Sequence, residues 1–164
     1  MMNAGSGTKW VGSHVKSARV ITQDGRQVTM PGDEIPFDYR SSGLYGSIIT
    51  RAIFSFPRVA ASETLQRLAA YSDYRRKTQD LKFPNAGCMF RNPPGGISAG
   101  QLIEEVGLKG RRIGNAQVSE LHANWVVNLG GATHEDVLAV IALAEETVAK
   151  KFDIRLKREI KVLG

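Results

Sequence analysis

The sequence predicts an α+β fold, and three observations support this prediction. Residues 17–30, SARVITQDGRQVTM, are two β-rich runs that meet at Asp24-Gly25, a dipeptide typical of a hairpin turn. After Pro57 the apolar residues recur at helical spacing. The run NWVVN, residues 124–128, predicts a short buried strand among those helices.

The amino-terminal part of the chain is predicted to be β structure. Besides the hairpin, residues 46–56, GSIITRAIFSF, form a second apolar and β-branched run. These predicted strands are too few to form a complete sheet on their own. We therefore place a boundary near Pro57, with residues 1–57 as an incomplete β piece and residues 58–164 as a separate domain.

Three helices are predicted after the boundary. Ser62 is the expected N-cap of a helix that runs to about Lys77, with Leu65, Leu68 and Ala69 on its inner face. Ser98 and Gln101 have the spacing of a capping box before a helix that Gly107 ends. The inner face of this second helix is the stripe Leu102, Ile103 and Val106.

A longer third helix and a closing strand are predicted near the end of the chain. Thr133 and Asp136 are the expected capping residues of this helix. Its apolar positions recur at helical spacing, at Val137, Ile141, Ala144 and Val148. The last residues, REIKVLG, have the pattern of a final strand.

Composition excludes several classes of protein. The 164 residues are 42% hydrophobic and 23% charged, which is enough to form a core and fits one domain, or one domain and a piece of another. The single cysteine cannot form an internal disulfide or a thiolate zinc site, so we predict no metal and a reducing, cytoplasmic location. We expect no membrane segment, because no apolar run is long enough, and the start MMNAGSGTKW has no apolar signal region.

The net charge of +6 permits three interpretations. The densest basic groups are Arg75-Arg76-Lys77 and Lys150-Lys151, both on predicted helix faces, and the other basic residues are scattered. A solvated surface explains them best, and an anionic small substrate is the second interpretation. Nucleic acid is the third, since no nucleic-acid-binding motif accompanies the charge.

The segment FPNAGCMFRNPPGG, residues 83–96, is the strongest candidate site. It surrounds the only cysteine, Cys88, with glycines and prolines, and Arg91 and Asn92 follow at once. A lone cysteine is most often a small buried hydrophobe. However, a turn places its side chains at the edge of an element. We therefore favour a functional site, although these residues alone do not name a reaction.

The motifs resemble one enzyme family. PNAGCMFRNP, followed by SAGQLIEEVGLKGRRIGNAQVSELHANWVVN, is similar to the substrate-binding domain of UDP-N-acetylenolpyruvoylglucosamine reductase, the flavoenzyme that makes UDP-N-acetylmuramate for peptidoglycan. MNAG at 2–5 and FDYRSS at 37–42 resemble the end of its FAD-binding domain. The resemblance implies that residues 1–57 are the carboxy-terminal piece of that domain and that residues 58–164 are the substrate-binding domain.

The chain departs from the family pattern in two respects. Family members are roughly twice as long, and their first half carries the Gly-rich loop that holds the FAD pyrophosphate. We expect a partial enzyme, whether a truncated, split or degenerate gene product, that does not retain FAD alone. Cys88 also stands where the family usually has serine. The short connection after Tyr39-Arg40 resembles the family's shorter subtype.

The resemblance implies a reaction and three catalytic residues. A hydride passes from NADPH to FAD and then to the enolpyruvyl double bond, and the enolate-like product needs charge stabilisation and a proton. Cys88 would donate the proton, since a thiol is more acidic than a hydroxyl. Arg40 would bind the carboxylate, and Glu159 would hold the enolpyruvyl end. Without the motif, Arg40 and Glu159 would be interpreted as surface residues.

The resemblance also implies binding residues. Tyr39, Arg91, Asn92, His122 and Gln79 would contact the substrate, UDP-N-acetylglucosamine enolpyruvate. The alternatives are that Arg91 and Asn92 cap the turn and that His122 is structural. The cofactor-binding residues implied are Asn3, Ala4 and Gly5, which would fray in this chain.

Two classes of function remain. The first is an oxidoreductase of cell-wall synthesis, or its carboxy-terminal part, which would be completed by the missing amino-terminal half. The second is a non-catalytic module that binds a sugar nucleotide and has lost flavin. We expect neither nucleic acid nor a membrane as a partner.

Overall fold

The computed structural model describes residues 1–6 and 9–162. It divides into two compact units, Met1–Ala60 and Ala61–Gly164. Helices and mostly antiparallel β pairs occur together, which confirms the α+β prediction.

The amino-terminal unit is built of short antiparallel strands. The strands are β1 Gly5–Ser6, β2 Lys9–Trp10, β3 Val15–Ile21, β4 Gln27–Pro31, β5 Phe37–Asp38, β6 Ser41–Ser42 and β7 Ile48–Phe54. Their main sheet has the order β4-β3-β7, and the pairs β1–β2 and β5–β6 stand apart from it. The predicted hairpin is confirmed: β3 pairs with β4, and Gly25 takes the positive φ of 80° that its turn requires.

The core of this unit is small. Ala18, Val20, Ile35 and Leu44 are its buried residues. Strand β7, which confirms the predicted run at 46–56, lies at the edge of the sheet, and all seven of its residues are exposed. The sheet is therefore open at β7, with isoleucine and phenylalanine side chains in contact with solvent.

The carboxy-terminal unit combines three helices with one sheet. Its elements are α1 Ala61–Thr78, β8 Asn85–Cys88, α2 Ala99–Glu105, β9 Arg112–Ile113, β10 Ala116–Val118, β11 Trp125–Asn128 and α3 His134–Phe152. The sheet has the order β8-β11-β10-β9 and is antiparallel throughout. Strand β11 confirms the predicted strand at 124–128.

Helices α2 and α3 supply much of the core of this unit. Both predicted capping boxes are present, at Ser98 with Gln101 and at Thr133 with Asp136. The predicted inner faces are buried: Leu102 and Ile103 on α2, and Ile141, Ala144 and Val148 on α3. They pack with Met89, Phe90, Val118 and Val126 in one cluster. The capping and periodicity predictions are confirmed here because both point to the same helices.

The prediction for the first helix was partly wrong. Helix α1 begins at Ala61, so Ser62 lies inside the helix and is not its N-cap. Leu65 is 67% exposed and Leu68 is 56% exposed, and Ala69 is exposed as well. The pattern of an inner face is present in the sequence, but none of the residues of α1 is buried.

The predicted closing strand was wrong for residues 158–162. Arg158 forms only an isolated antiparallel bridge with Phe90. The cause is that this segment bonds to the irregular residues after β8 and not to a regular strand. Leu163 and Gly164, the end of the predicted strand, lie outside the described residues.

Candidate active site

The segment predicted as a site surrounds the end of an edge strand. Strand β8 lies at the edge of its sheet and ends at Cys88, which is half-buried. Gly87, Gly95 and Gly96 all have positive φ, of 77°, 104° and 89°, as sharp turns require. The prediction that Cys88 lies at the edge of an element is thus confirmed.

Residues 88–91, which we call the Cys88 segment, are bonded to the end of the chain. The Glu159 N–H donates to the carbonyl oxygen of Met89 over 2.8 Å, and the Arg91 N–H donates to the carbonyl oxygen of Lys157 over 2.9 Å. The side chains of Met89 and Phe90 are fully buried and anchor the segment. The fold therefore brings the backbone of Glu159 beside that of Cys88, although the two are far apart in sequence.

Asn124 lies on the other side of the Cys88 segment and was missed by the sequence analysis. Its Oδ1 accepts from the Phe90 N–H over 3.0 Å, and its Nδ2 donates to the Phe90 carbonyl over 2.7 Å. Its own carbonyl accepts from the Met89 N–H over 2.7 Å. The only signal in the sequence is that Asn124 stands directly before an apolar run. An amide buried with that run must have hydrogen-bond partners, and this could have pointed to its role.

His122 lies beside this arrangement and is held in one tautomer. Its Nδ1 accepts from the Asn124 N–H over 3.3 Å, so the neutral ring carries its proton on Nε2. Burial lowers the pKa of His122, with a smaller contribution from Lys109. Its ring stacks on that of Trp125 at 5.5 Å between centroids. Trp125 is directly opposite Cys88 in the β8–β11 ladder, so both side chains are on the same face.

Arg91 and Asn92 are placed differently from one another. Arg91 Nε is buried and has no hydrogen-bond partner within the described part of the chain. The Asn92 Oδ1 accepts from the N–H of Ala99, the first residue of α2, over 3.1 Å. The oxygen of Asn92 thus has the capping role that the sequence analysis kept as an alternative.

Gln79 follows the end of α1. Its Oε1 accepts from Arg75 Nε over 2.9 Å, and its N–H donates to the Arg75 carbonyl over 2.8 Å. Both contacts are local to the helix end.

In the amino-terminal unit, Tyr39 and Arg40 form the turn between β5 and β6. Arg40 has a positive φ of 51°, which is unusual for a residue with a side chain. Its guanidinium carbon lies 5.3 Å from the centre of the Tyr39 ring. Strained backbone of this kind is frequent at functional sites.

Asn3 is ordered, so the expectation that it frays was wrong. Its Nδ2 donates to the carbonyl of Asp38 over 3.0 Å, and its Oδ1 accepts from the Gly12 N–H over 2.8 Å. It is 6% exposed. The Ala4 carbonyl accepts from the Val11 N–H, and Gly5 pairs with Trp10.

A cleft of about 260 Å³ lies beside Ala4 and Gly5. It is mostly apolar, with Trp10, Phe54 and Phe56 among its walls. The Phe54 and Phe56 rings stack at 6.0 Å, and His14 is 5.0 Å from Phe56. A Cβ on Gly5 would lie 2.5 Å from the Lys9 carbonyl, so only glycine permits this close approach.

The described residues contain neither a metal-binding cluster nor a helix that could cross a membrane. Within residues 1–6 and 9–162, no group of three or more histidine, cysteine or acidic side chains could hold a metal ion. None of the helices in that same part of the chain is both long and apolar enough to span a bilayer.

Comparison with known proteins identifies the family. The profile of the UDP-N-acetylenolpyruvoylglucosamine reductase C-terminal domain matches residues 79–163. The UDP-N-acetylenolpyruvoylglucosamine reductase 2 of Symbiobacterium thermophilum is 45% identical over 166 aligned positions, which cover 100% of this chain and 54% of that protein. A reductase sequence from Bacillus licheniformis is 37% identical, with 99% of this chain and 90% of that sequence covered.

A solved structure agrees with these relatives. The crystal structure of UDP-N-acetylenolpyruvylglucosamine reductase from Thermus caldophilus superposes with a TM-score of 0.85 at 36% identity, and covers 99% of this chain and 58% of that one. The chain spans about half the length of most of the curated relatives described by these comparisons. On this evidence the chain belongs to the UDP-N-acetylenolpyruvoylglucosamine reductase family.

Proposed function

We propose that this chain is the carboxy-terminal part of an NADPH- and FAD-dependent enzyme that reduces UDP-N-acetylglucosamine enolpyruvate to UDP-N-acetylmuramate in the cytoplasm. The observation that carries the proposal is the hydrogen bond from the Glu159 N–H to the Met89 carbonyl. This bond places the backbone of Glu159 beside Met89, the neighbour of Cys88, so two of the three proposed catalytic residues have adjacent backbones. Family membership supports the same reaction.

Cys88 is the proton donor in this proposal. Reduction of the enolpyruvyl double bond leaves negative charge on the substrate, and the neighbouring carbon must then receive a proton. A thiol can supply it, because a thiol is a stronger acid than the hydroxyl that the family usually has at this position. Cys88 is half-buried at the end of β8 and therefore lies outside the fully buried core.

Glu159 and Arg40 handle charge and orientation. Glu159 holds the enolpyruvyl end beside the proton donor, and its backbone bond to Met89 fixes where its side chain starts. Arg40 binds the substrate carboxylate, for which a guanidinium offers two parallel donors. Its position in a two-residue turn presents the side chain at the tip of a hairpin.

The remaining predicted residues bind the sugar nucleotide. Arg91 is suited to the diphosphate, because its buried Nε needs an acceptor. His122, neutral and protonated on Nε2, is a hydrogen-bond donor for a sugar oxygen. Asn92, whose Oδ1 accepts from the Ala99 N–H, belongs to the same proposed set. Tyr39 and Gln79 complete the set.

The residues of the amino-terminal unit fit the ring system of a flavin but not a whole FAD. An apolar cleft lined by aromatic rings, next to the backbone of Ala4 and Gly5, is suited to a flat ring. The Asn3 amide is already bonded within the protein, so it would support the cleft and not contact the cofactor. Bound flavin supplies the hydride chemistry. No Gly-rich phosphate loop is present in the 164 residues.

We propose further that the amino-terminal half of the enzyme is the partner of this chain. The open edge of β7 supports this proposal, since exposed edge strands are usually paired or covered. The chain alone would then bind the UDP-sugar without retaining FAD or oxidising NADPH. A purified chain with stoichiometric flavin absorption would contradict this.

Calorimetric titration of the 164-residue chain with UDP-N-acetylglucosamine enolpyruvate tests the substrate assignment. We expect weak binding that weakens further with salt, because the ligand is anionic. Arg91→Ala should reduce the affinity by about tenfold, as expected for a lost charge-assisted hydrogen bond.

The control is Arg112→Ala, which removes the same charge. Arg112 lies on β9, at the opposite edge of the sheet from β8, and bonds to Gly114 and Asn115. Equal losses of affinity in the two variants would indicate a general charge effect. No binding by a folded chain at millimolar ligand would refute the substrate assignment itself.

A further inference from the structure

We propose that Asn124 is a positioning residue that holds Cys88 and Glu159 in one fixed arrangement. The inference rests on the proposed function, in which these two residues act on the same substrate. Asn124 is 3% exposed, and both polar atoms of its side chain are bonded to the backbone of Phe90.

The side chain of Asn124 makes the hydrogen bonds that a further residue of a β-strand would make. Regular pairing between β8 and β11 reaches Cys88 and Trp125 and then stops. One residue before Trp125 the chain turns away, because the Asn124 N–H donates to His122 Nδ1. The Asn124 amide then bonds to both the N–H and the carbonyl of Phe90, the groups that a further strand residue would have paired.

The opposite side of the same segment carries Glu159. The Met89 carbonyl accepts from the Glu159 N–H, and the Arg91 N–H donates to Lys157. The peptide groups of residues 89–91 are therefore bonded from both sides, by Asn124 and by residues 157–159. A displacement of Phe90 would move Cys88, two residues before it, and Glu159, which is bonded to its neighbour.

This arrangement matters for the reaction because a proton donor acts only at hydrogen-bonding distance from its acceptor. Small misplacements of catalytic groups are costly, even when their cause lies away from the reacting atoms. Removing the Asn124 amide would leave two buried backbone groups of Phe90 without partners. We therefore expect the Cys88 segment to open locally while the rest of the unit stays folded.

A purely structural role for Asn124 is the alternative, and Asn128 provides the matched control. Asn128 is the last residue of β11, at the end remote from Cys88, whereas Asn124 comes directly before the first. Its Oδ1 accepts from the N–H groups of Gly130 and Ala132, over 2.9 and 3.0 Å. Asn128→Ala thus removes two side-chain-to-backbone bonds, the same number as Asn124→Ala.

The first measurement is the rate at which iodoacetamide alkylates Cys88 in the 164-residue chain. Cys88 is the only cysteine, so intact mass reports its modification without ambiguity. Asn124→Ala should raise the rate constant about tenfold, because access to the thiol depends on local opening. Asn128→Ala should change it by less than about twofold.

The second measurement is hydrogen exchange of the Glu159 amide, followed by NMR in the same variants. Asn124→Ala should speed this exchange by about tenfold as well, because the Asn124 side chain bonds to Phe90 and the Glu159 N–H bonds to its neighbour, Met89. Should the alanine variant fail to fold, Asn124→Ser serves instead, since its hydroxyl can replace one of the two bonds. Equal alkylation rates in the Asn124 and Asn128 variants, or an unchanged Glu159 amide, would overturn the proposal.

These tests are separable from the test of the proposed function. Alkylation and amide exchange need no ligand, whereas protection of Cys88 by UDP-N-acetylglucosamine enolpyruvate in the parent chain does. A parent chain that shows no protection refutes the substrate assignment and, with it, the positioning role. A protected parent chain with unresponsive Asn124 variants refutes the positioning role alone.

Discussion

The two units of the chain bury their apolar residues to different extents. The carboxy-terminal unit has one continuous core, in which Met89, Ile103, Val140, Ile141 and Val148 are all fully buried. The amino-terminal unit has only a small buried cluster around Val20, and it leaves the residues of β7 exposed. The carboxy-terminal unit therefore has a much larger buried core than the amino-terminal unit.

This difference extends to the candidate site residues. In the carboxy-terminal unit, the Cys88 segment is fixed by buried hydrogen bonds on both sides. In the amino-terminal unit, Arg40 is at the tip of a hairpin of two-residue strands. The candidate site residues of the carboxy-terminal unit are therefore held by the fold of that unit itself.

The largest expected effect concerns Cys88, and it requires a complete enzyme. We suggest a chimera that joins this chain to the part of the Symbiobacterium thermophilum relative that the chain does not cover. Cys88→Ala should slow flavin reoxidation by the enolpyruvyl substrate at least about 100-fold, because the substrate carbon lacks its proton donor. Flavin reduction by NADPH should be nearly unchanged, since that step delivers no proton to the substrate carbon.

Stopped-flow absorbance of the flavin measures both steps. Cys88→Ser is the control and should recover most of the rate, since a hydroxyl can also donate a proton. A variant that merely misfolds would impair both steps. Reoxidation at the parent rate in the alanine variant would remove Cys88 from the mechanism.

The second prediction compares the two cores directly. Val148 and Val20 are equally buried valines, at 0% and 1% exposure, in the carboxy-terminal and amino-terminal units. Val148→Ala should cost about 2–3 kcal/mol of unfolding free energy, and Val20→Ala about half of that. The reason is that a large core cannot collapse around the cavity, whereas a small open one can relax.

The two tryptophans make this measurable, because Trp10 lies in one unit and Trp125 in the other. Urea unfolding followed by fluorescence in Trp10→Phe and Trp125→Phe backgrounds reports each unit separately. Equal costs for the two valine substitutions would show that the amino-terminal unit is as tightly packed as the carboxy-terminal one.

The third prediction compares Thr133, which is the N-cap of α3, with Ser62, which was predicted to be the N-cap of α1 but lies inside it. The Thr133 side chain accepts from the Asp136 N–H over 3.1 Å, and Thr133→Ala should cost about 1 kcal/mol of unfolding free energy. Ser62 lies inside α1. Ser62→Ala should therefore have no cost, since alanine favours a helix interior. Thermal unfolding followed by circular dichroism measures both, and a similar loss in the two variants would contradict the assignment of α1.

The sequence predicted those elements for which local and long-range signals coincide. At α3, the capping residues and the period of Val137, Ile141 and Ala144 agree with burial against the sheet. At α1, apolar residues recur at the same helical spacing, but the sequence does not show whether another part of the protein packs against them. Residues 158–162 were predicted as a strand from β propensity, which depends strongly on the surroundings.

The site was predictable only where a motif carried it. Cys88 and Arg91 were singled out by the segment rich in glycine and proline, and Glu159 was proposed through resemblance alone. The closeness of the Cys88 segment to Glu159 emerged from the fold. Asn124 could not be found, because its role depends on the point at which β11 departs from β8. The side-chain bonds of Asn3 to Asp38 and Gly12 could not be predicted either, because they depend on how residues far apart in sequence meet.

The smallest expected effect concerns pH and separates the two units once more. Burial lowers the pKa of His122 below its ordinary 6.5, so folding favours the neutral ring. The stability that this provides is fully present above pH 6.5, and it is lost as the pH falls through that value toward the lower pKa of the folded state. The N–H groups of Asn115 and Thr133 donate to the Asp136 carboxylate and lower its pKa from 3.8. The stability that this carboxylate contributes is lost only as the pH falls below 3.8, so it does not overlap with the effect of His122.

We therefore expect the Trp125-reported unfolding temperature to fall between about pH 7.5 and pH 5.5. His122→Gln should flatten this fall, while the Trp10-reported transition serves as an internal reference for the other unit. The ring of His122 stacks on Trp125, so quenching of Trp125 by the charged imidazole gives the pKa of His122 in the same titration. A pKa of His122 at or above 6.5 would show that the ring is hydrated. That result would contradict the proposal that the neutral ring donates a hydrogen bond from Nε2 to the substrate.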